Sequence, residues 1–259
     1  MPQVTVAGRA LEYKRIAGAP PTLVFLHEGL GSLRLWRDFP RRVAQATGRA
    51  ALVYSRYGYG HSDVLVEERV GVRFMHDAAL VELPELLAEL EIDAPVLIGH
   101  SDGASIALIH AGAGHPVRAL AVLAAHVFVE DVCLRAIEEA KRQFESGDLE
   151  RRLARHHRDA RRTFHLWNDV WLDPRFRAWN IEEYLPAIRC PVLALQGADD
   201  AYGTPAQLHA IARGVRGPCE LVELADCGHA PHLDQPERTL EAVAGFIART
   251  GAAGVSADS

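Results

Sequence analysis

The chain has 259 residues, of which 49% are hydrophobic and 24% are charged, and its formal net charge at pH 7 is −6. These values predict one globular domain, or one domain with an insertion, and nothing in them calls for a nucleic-acid partner. No apolar run reaches the length of a signal peptide or a membrane span, so a membrane protein is not expected. The four cysteines lack metal-ligand spacing and favour reduced thiols in a cytoplasmic protein: Cys133, Cys190, Cys219 and Cys227.

Apolar strands alternate with helices along most of the chain. The strands are predicted over residues 4–16 (an edge pair), 22–26, 50–54, 95–98, 119–124, 191–195 and 220–224. The helices are predicted around residues 36–47, 73–91, 104–109, 205–213 and 236–249. Gly48 should end the first helix, and Pro84 should kink the second or begin a new segment. This alternation indicates an α/β fold with a doubly wound, mostly parallel sheet.

The alternation is interrupted over residues 128–185, where the chain is charged, aromatic and helical in pattern. This stretch is too long for a plain connection, and we interpret it as an inserted helical segment. The predicted organisation is a core domain formed by residues 1–127 and 186–250, the insertion over 128–185, and a disordered tail over 251–259.

Residues 99–103 have the sequence Gly-His-Ser-Asp-Gly and match the pattern Gly-x-Ser-x-Gly. The motif follows an apolar strand and precedes a run of small and apolar residues, as expected for a strand, a sharp turn and a helix. Such a turn lifts a serine hydroxyl clear of the sheet and directs the N-terminus of the next helix at it. The pattern makes Ser101 a candidate nucleophile, although a match of this length also arises by chance.

The carboxyl ends of parallel strands form the usual ligand site of an α/β sheet. The segments that follow the predicted strands are 27–32, 56–62, 100–103, 125–128, 197–202 and 227–232. Three of these segments carry a serine, an aspartate and a histidine, in that chain order. We therefore expect these side chains to meet at one edge of the sheet.

These segments resemble those of serine hydrolases of the α/β-hydrolase fold superfamily, and the resemblance covers nearly the whole chain. It is carried by residues 26–32 (Leu-His-Glu-Gly-Leu-Gly-Ser), 57–62 (Tyr-Gly-Tyr-Gly-His-Ser), 99–103, 197–200 (Gly-Ala-Asp-Asp) and 228–236 (Gly-His-Ala-Pro-His-Leu-Asp-Gln-Pro). The resemblance implies a sheet of the α/β-hydrolase type, with the insertion over 128–185 as a helical cap, or lid, over the site.

The resemblance implies that Ser101 is the nucleophile and His229 its general base. A serine hydroxyl is a poor nucleophile at neutral pH and needs a base within hydrogen-bond reach. His232, three residues further on, is the rival base.

The acid of the implied triad is Asp200, which would orient the base and stabilise its cation. Asp199 is adjacent and would serve if the loop register differed. Glu130 and Asp131 are a further alternative, because some members of the superfamily supply the acid after the preceding strand.

An oxyanion hole needs two backbone N–H groups, which the resemblance assigns to Asp102 and Gly29. The usual His-Gly of the family is replaced here by His27-Glu28, so the second donor could shift to Glu28 or Leu30. Glu28 and Asp102 place two carboxylates where an anion should form. Either both side chains point away and are hydrogen-bonded locally, or they hold a water, bind a polar substrate group or share a proton.

Substrate contacts are expected from Glu28, from Trp36, from Phe128 and from the cap residues Trp167, Trp171 and Trp179. Pockets are mostly apolar, although large aromatic residues also serve to join a cap to its core. The arginines at positions 151, 155, 158 and 162 share one helical face. They predict either a solvated, ion-paired face or a clamp for a carboxylate substrate.

The sequence thus predicts a hydrolase of a carboxylic ester or related acyl compound that needs no metal or organic cofactor. The partner is a small-molecule substrate, and a homodimer is left open. The same triad in the superfamily also cleaves lactones, thioesters and the carbon–carbon bonds of dienoate ring-fission products. A ligand receptor with a hydrolase-like pocket is the non-enzymatic alternative.

Overall fold

The computed structural model of the protein describes residues 1–66 and 70–252. Its strands are β1 (Gln3–Val6), β2 (Arg9–Ile16), β3 (Ala19–Leu26), β4 (Arg49–Tyr54), β5 (Val96–His100), β6 (Ala119–Leu123), β7 (Val192–Gly197) and β8 (Cys219–Leu224). Within the described residues they form one sheet in the order β1-β2-β4-β3-β5-β6-β7-β8. The β1–β2 and β2–β4 pairs are antiparallel and the others are parallel, which confirms the predicted mostly parallel sheet.

Helices cover both faces of the sheet, so that it is doubly wound. In the described part of the chain the α-helices are α1 (Phe39–Thr47), α2 (Phe74–Asp77), α3 (Leu83–Glu89), α4 (Asp102–Gly112), α5 (Asp131–Glu145), α6 (Asp148–Leu153), α7 (Ala160–Trp171), α8 (Ala206–Gly214), α9 (Pro231–Asp234) and α10 (Pro236–Ala252). In β3, Leu23 and Phe25 belong to the apolar layer that includes α1 and α10. Val24 and Leu26 belong to the opposite layer, which includes α4 and the inserted helices. The continuous apolar run of this strand therefore reflects burial on both faces.

The first helix differs from its prediction at its start, whereas the second begins a new segment near Pro84, as one of the two expectations has it. The first helix begins at Phe39 rather than near Trp36, because Arg37 has a φ of 52°, which an α-helix does not include. The second helix is divided, since a π-helical turn over Ala78–Glu82 separates α2 from α3. Pro84 lies in the first turn of α3, where its missing N–H interrupts the regular hydrogen-bond ladder.

The insertion connects β6 to β7 through α5, α6, α7 and two short 3-10 helices, Pro174–Ala178 and Glu182–Ala187. His157 ties it to the two glycine-rich loops of the core. Its Nδ1 accepts from the backbone N–H of Gly60 at 2.9 Å, and its Nε2 donates to the carbonyl of Leu30 at 3.0 Å. Burial lowers the pKa of His157 to about 4, which keeps the ring in the neutral form that can both accept and donate.

The last helix runs further than predicted, to Ala252. Residues 253–259, where the rest of that tail was predicted, lie outside the described residues. Of the helices in residues 1–66 and 70–252, none has the length and apolar character needed to cross a membrane.

Candidate active site

Ser101 occupies the turn between β5 and α4 and has φ 52° and ψ −120°, a conformation that non-glycine residues rarely adopt. The flanking glycines allow strand and helix to approach closely. A Cβ on Gly103 would lie 2.1 Å from the carbonyl oxygen of Leu26, and one on Gly99 would lie 2.4 Å from that of Gly103. The Gly-x-Ser-x-Gly motif thus forms the strand–turn–helix that its sequence predicts.

A continuous chain of hydrogen bonds joins Ser101, His229 and Asp200. The Oγ of Ser101 lies 2.9 Å from Nε2 of His229. Nδ1 of His229 lies 2.8 Å and 3.0 Å from the two carboxylate oxygens of Asp200. An ionised carboxylate can only accept, so Nδ1 carries the proton and Nε2 is free to accept from the serine hydroxyl. The residues come from the ends of three strands, β5, β7 and β8.

Asp200 is held in its ionised form. Burial alone would raise its pKa, since its side chain is 1% exposed, but the hydrogen bond and charge of His229 outweigh burial and lower the pKa below its ordinary value. The backbone N–H of Tyr202 and the side-chain amide of Gln196 also donate to the carboxylate, at 2.8 Å and 3.2 Å. The carboxylate oxygens therefore keep one orientation toward the imidazole.

The structure does not bring the alternative acids to His229. Asp199 is exposed to solvent, although it is adjacent to Asp200 in sequence. Glu130 accepts hydrogen bonds from Thr204 and Gln207. Asp131 forms an ion pair with Arg177 at the surface.

The rival base, His232, lies in the core rather than beside the serine. Its ring packs 4.7 Å from that of Trp36 and 5.7 Å from that of Phe39, and burial lowers its pKa to about 3. This position matches a packing role, because a buried, neutral imidazole surrounded by aromatic rings has no access to the hydroxyl of Ser101.

A cavity of about 110 Å³ opens onto the Ser101 hydroxyl. Its lining comes from the loops after β3, β6, β7 and β8, the turn between β5 and α4, the start of α4, and helices α5 and α7. The lining residues are Glu28, Gly29, Leu30, Ser101, Asp102, His126, Cys133, Ile137, Trp167, Trp171, Tyr202 and His229.

Glu28, Trp167 and Trp171, which were predicted to contact substrate, line this cavity, but Trp36, Phe128 and Trp179 do not. Trp36 is fully buried on the opposite face of the sheet, so the expectation that it contacts substrate is corrected. Phe128 pairs with Asn180 in an isolated bridge. Trp179 stacks on Phe176 at 5.4 Å. Phe128 and Trp179 thus contact other residues of the insertion, and Trp36 packs on Phe39 and His232 in the core. Residue type alone does not distinguish such packing from a pocket wall.

Three donors fix the peptide group between Glu28 and Gly29. The carbonyl of Glu28 accepts from Nδ1 of His27 at 2.7 Å, from the guanidinium of Arg56 at 2.9 Å and from the N–H of Gly31 at 3.0 Å. In a trans peptide the N–H points opposite to the carbonyl, so these bonds direct the Gly29 N–H away from His27 and Arg56. A Cβ on Gly29 would lie 2.1 Å from Nε1 of Trp167, which explains why glycine stands there.

The carboxylate of Glu28 forms an ion pair with His100. Its Oε2 lies 3.4 Å from Nδ1 of His100, whose Nε2 lies 2.7 Å from the carbonyl of His229. Burial alone would raise the pKa of Glu28, but the hydrogen bond and charge of His100 hold it well below its ordinary value. Burial alone would likewise lower the pKa of His100, and Glu28 raises it instead. Of the two acids that the sequence placed near the nucleophile, Glu28 thus has a local partner.

Asp102, in contrast, is fully buried, and neither of its carboxylate oxygens has a hydrogen-bond partner among the described residues. Burial raises its pKa to about 6, although the charge of Arg56 and the nearby indole N–H of Trp171 act in the opposite direction. The indole N–H itself does not meet hydrogen-bond geometry with any described atom. Because the side chain has no exposed surface, both carboxylate oxygens are enclosed by protein near Arg56 and Trp171 and do not open onto the cavity.

Replacing Asp102 by asparagine should change how stability depends on pH. Its pKa is about 6 in the fold against an ordinary 3.8, so the folded state binds the proton more tightly and loses stability as pH rises through this window. The difference corresponds to about 3 kcal/mol, fully present above pH 6 and absent below the ordinary value. The free energy of unfolding of the variant minus that of the wild type should therefore rise by about 3 kcal/mol from acidic to neutral pH. Urea unfolding at a series of pH values measures this difference, and a pH-independent difference would contradict it.

Sequence reasoning assigned no role to three residues of the site. His126 lines the cavity with its ring 5.8 Å from that of His229, and burial lowers its pKa to about 3. Tyr202 packs against the ring of His229 at 4.6 Å. Arg56 is buried and holds the Glu28 carbonyl. Each of these three residues comes shortly after a strand, and this position in the sequence could have identified it as a residue of the site.

The arginine face of the insertion does not form part of the cavity lining. Its polar contacts lie at the surface: Arg151 with Asp148, Arg158 with Asp63 at 3.7 Å, and Arg162 with the carbonyl of Val66 at 2.9 Å. These contacts match the solvated, ion-paired interpretation and leave the carboxylate clamp without support.

A larger cavity of about 190 Å³ is lined by Arg56 and Tyr59 together with residues that include Arg9, Phe74 and Leu166. Its lining includes no serine or histidine. We therefore assign the chemistry to the smaller cavity, which contains the Ser101–His229–Asp200 chain of hydrogen bonds. Groups of three or more His, Cys, Asp or Glu residues arranged to hold a metal ion do not occur in the described residues.

Comparison with known proteins shows the family to which the chain belongs. The sequence model of the alpha/beta hydrolase family matches residues 23–242 of the chain. The sn-1-specific diacylglycerol lipase of Mus musculus is 24% identical over 257 residues, which cover 88% of this chain and 81% of that protein.

Solved structures share the fold. A bacterial membrane phospholipase A superposes with a TM-score of 0.75 at 19% identity, covering 97% of this chain and 86% of that one. An esterase from Thermogutta terrifontis superposes with a TM-score of 0.70 at 19% identity, covering 96% of this chain and 99% of that one. Since the family model spans most of the sequence, the chain belongs to the alpha/beta hydrolase family, and the protein is a hydrolase.

Proposed function

We propose that the protein is a serine hydrolase that cleaves carboxylic esters through an acyl-enzyme at Ser101. The observation that carries this proposal is the hydrogen-bonded series Ser101–His229–Asp200, whose serine end faces the cavity. The base is in the tautomer that can take the serine proton, and the acid is ionised, so no rearrangement precedes the first step.

In the acylation step, Oγ of Ser101 bonds to the substrate carbonyl carbon while its proton passes to Nε2 of His229. The carbonyl oxygen becomes an oxyanion, held by the backbone N–H groups of Asp102 and Gly29. Collapse of this intermediate breaks the ester C–O bond, and the leaving alcohol departs with the proton from His229. Water then loses a proton to Nε2, attacks the acyl carbon and releases the acid, which restores Ser101.

The insertion over residues 128–185 acts as a cap in this proposal. Its helices α5 and α7 supply Cys133, Ile137, Trp167 and Trp171 to the cavity wall. These mainly apolar side chains exclude water around the acyl group and strengthen the oxyanion hydrogen bonds.

Labelling with a fluorophosphonate tests the proposal. The reagent should add one phosphonyl group per chain, on the peptide that contains Ser101, because it needs the activated hydroxyl and an oxyanion site. Ser101→Ala should take up no label while keeping the wild-type melting temperature. Mass spectrometry of the digested protein measures the labelling of the wild type and of the variant. Wild-type protein that remains unlabelled and releases no alcohol from short esters would support a binding role instead.

A further inference from the structure

An ion pair between Glu28 and His100 lies directly behind the proposed catalytic base. Oε2 of Glu28 lies 3.4 Å from Nδ1 of His100, and Nε2 of His100 lies 2.7 Å from the backbone carbonyl of His229. The side chain of His100 is 3% exposed and that of Glu28 is 24% exposed. Neither residue belongs to the Ser101–His229–Asp200 series, so the reaction proposed above assigns no step to this pair.

Each nitrogen of the His100 ring faces a group that can only accept. The backbone carbonyl of His229 has no proton to give, and neither has the ionised carboxylate of Glu28. Both ring nitrogens must therefore donate, which requires His100 to be an imidazolium. The pKa directions agree with this charge. Burial opposes ionisation of both groups, but their hydrogen bond and mutual attraction outweigh it, which lowers the pKa of Glu28 and raises that of His100.

The pair connects three separate segments of the site. Glu28 immediately precedes Gly29, the proposed oxyanion donor, and His100 immediately precedes Ser101. The carbonyl that His100 holds belongs to the base itself. One pair of side chains thus joins the loop after β3, the turn between β5 and α4, and the loop after β8.

The loop after β3 has room for the carboxylate and fixes the residue that carries it. A Cβ on Gly31 would lie 2.5 Å from Oε2 of Glu28, so glycine at this position leaves the space that the carboxylate occupies. The backbone carbonyl of Glu28 accepts hydrogen bonds from three neighbouring donors. Because residue 28 is held by its backbone as well, its side chain is a fixed support for His100.

We propose that Glu28 and His100 are positioning residues, which hold the backbone of His229 so that its Nε2 stays within reach of the Ser101 hydroxyl. This inference rests on the proposed function. The pair acts through the base and not through the substrate, so its loss should lower kcat and leave KM unchanged. The role also accounts for a glutamate at a position where the family usually has glycine.

The pair should open at alkaline pH. When the Nδ1 proton of His100 leaves, a nitrogen lone pair faces the carboxylate of Glu28, and the two groups repel. In the described part of the chain, the other titratable residues that interact with His100 lie on the loops after β6, β7 and β8 and at the starts of α4 and α9: Asp102, His126, Asp200, His229 and His232.

These neighbours do not account for a loss of activity at alkaline pH. Asp102 and Asp200 are already ionised there, since the pKa of the first is about 6 and that of the second is lowered. Burial lowers the pKa of His126 and of His232 to about 3, so both stay neutral. The base must be neutral to accept a proton, so its own titration only raises the rate as pH rises.

The rate at which a fluorophosphonate labels Ser101 measures this response without a deacylation step. The wild-type rate should fall at alkaline pH. Glu28→Gln keeps the size of the side chain, and its amide N–H can donate to Nδ1 of a neutral His100. Its labelling rate should therefore stay level over the same range.

Glu28→Ala removes the support altogether. Its kcat for a short ester should fall about 10- to 100-fold with KM unchanged, because a hydrogen bond between charged groups is lost. Asp169→Asn is the matched control, since Asp169 and His165 also form a carboxylate–histidine pair at 3.4 Å, but with side chains that are 63% and 48% exposed. This control should keep the wild-type kcat and the wild-type dependence on pH.

Nitrogen NMR of protein labelled with 15N-histidine tests the charge of His100 independently of activity. At neutral pH, above the ordinary histidine pKa of about 6.5, both ring nitrogens of His100 should carry a proton. Absence of the signal in His100→Gln assigns it. In Glu28→Gln only Nε2 should keep its proton.

A wild-type His100 with one protonated nitrogen, or the same pH dependence in the wild type and in Glu28→Gln, would overturn the positioning role and leave the serine hydrolase intact. A Glu28→Ala variant that changes KM alone would overturn it as well, in favour of a substrate contact. Absence of labelling and of all ester hydrolysis in the wild type would instead overturn the proposed function, and with it the role of the pair.

Discussion

Replacing Asp200 by asparagine should lower kcat for ester hydrolysis about 10⁴-fold. The carboxylate now accepts the Nδ1 proton of His229 at 2.8 Å, which leaves Nε2 free to accept from Ser101. An amide at this position can donate its own N–H to Nδ1, and His229 then carries its proton on Nε2, where it cannot act as a base. The imidazolium formed during acylation would also lose its counter-charge.

Asp199→Asn is the matched control for this change. It removes the same charge one residue away, but its side chain is exposed and the structure does not bring it to His229. Its kcat should equal that of the wild type. Stopped-flow measurement of nitrophenol release compares the two variants directly, with circular dichroism to verify their fold. Equal losses in both variants would show that negative charge in the loop, rather than the hydrogen bond to His229, is what the reaction needs.

Replacing Gly103 by alanine should lower the free energy of unfolding by about 3 kcal/mol or more. The added Cβ would lie 2.1 Å from the carbonyl oxygen of Leu26 and 2.6 Å from that of His27. Both contacts are with backbone, so no side chain can rotate away, and α4 must move from the end of β3. Because α4 carries the Asp102 N–H and β3 leads to Gly29, the proposed oxyanion hole should open at the same time.

Gly71→Ala controls for the general effect of adding a methyl group. A Cβ at this position would meet no atom within 4 Å. Its stability should lie within about 0.5 kcal/mol of the wild type. Differential scanning calorimetry, together with the kcat/KM for a short ester, measures both effects. A Gly103→Ala variant as stable and as active as Gly71→Ala would contradict the close packing of α4 on β3.

The sequence by itself determined which segments form strands and helices and that the sheet is mostly parallel. Apolar runs such as Leu23–Leu26 predict strands buried on both faces, and this signal is local, since it depends on the period of side chains along one element. The motif around Ser101 is local in the same way: two glycines and a serine specify a turn that needs no distant residue to be recognised. The ends of helices are harder to predict from the sequence. Helix α1 starts later than expected because the backbone of Arg37 has a positive φ, which no feature of the sequence indicates.

Only the tertiary structure decided which side chains meet. Asp199 and Asp200 are neighbours of the same type, and the loop conformation alone directs Asp200 to His229. In the sequence, Trp36 and Trp167 are both aromatic residues expected near the site. In the structure, Trp36 packs in the core and Trp167 lines the cavity. Contacts between residues far apart in sequence determine this difference. Likewise, the sequence places acids at Glu28 and Asp102, but the tertiary structure determines that His100 partners the first and that the second is buried near Arg56 and Trp171.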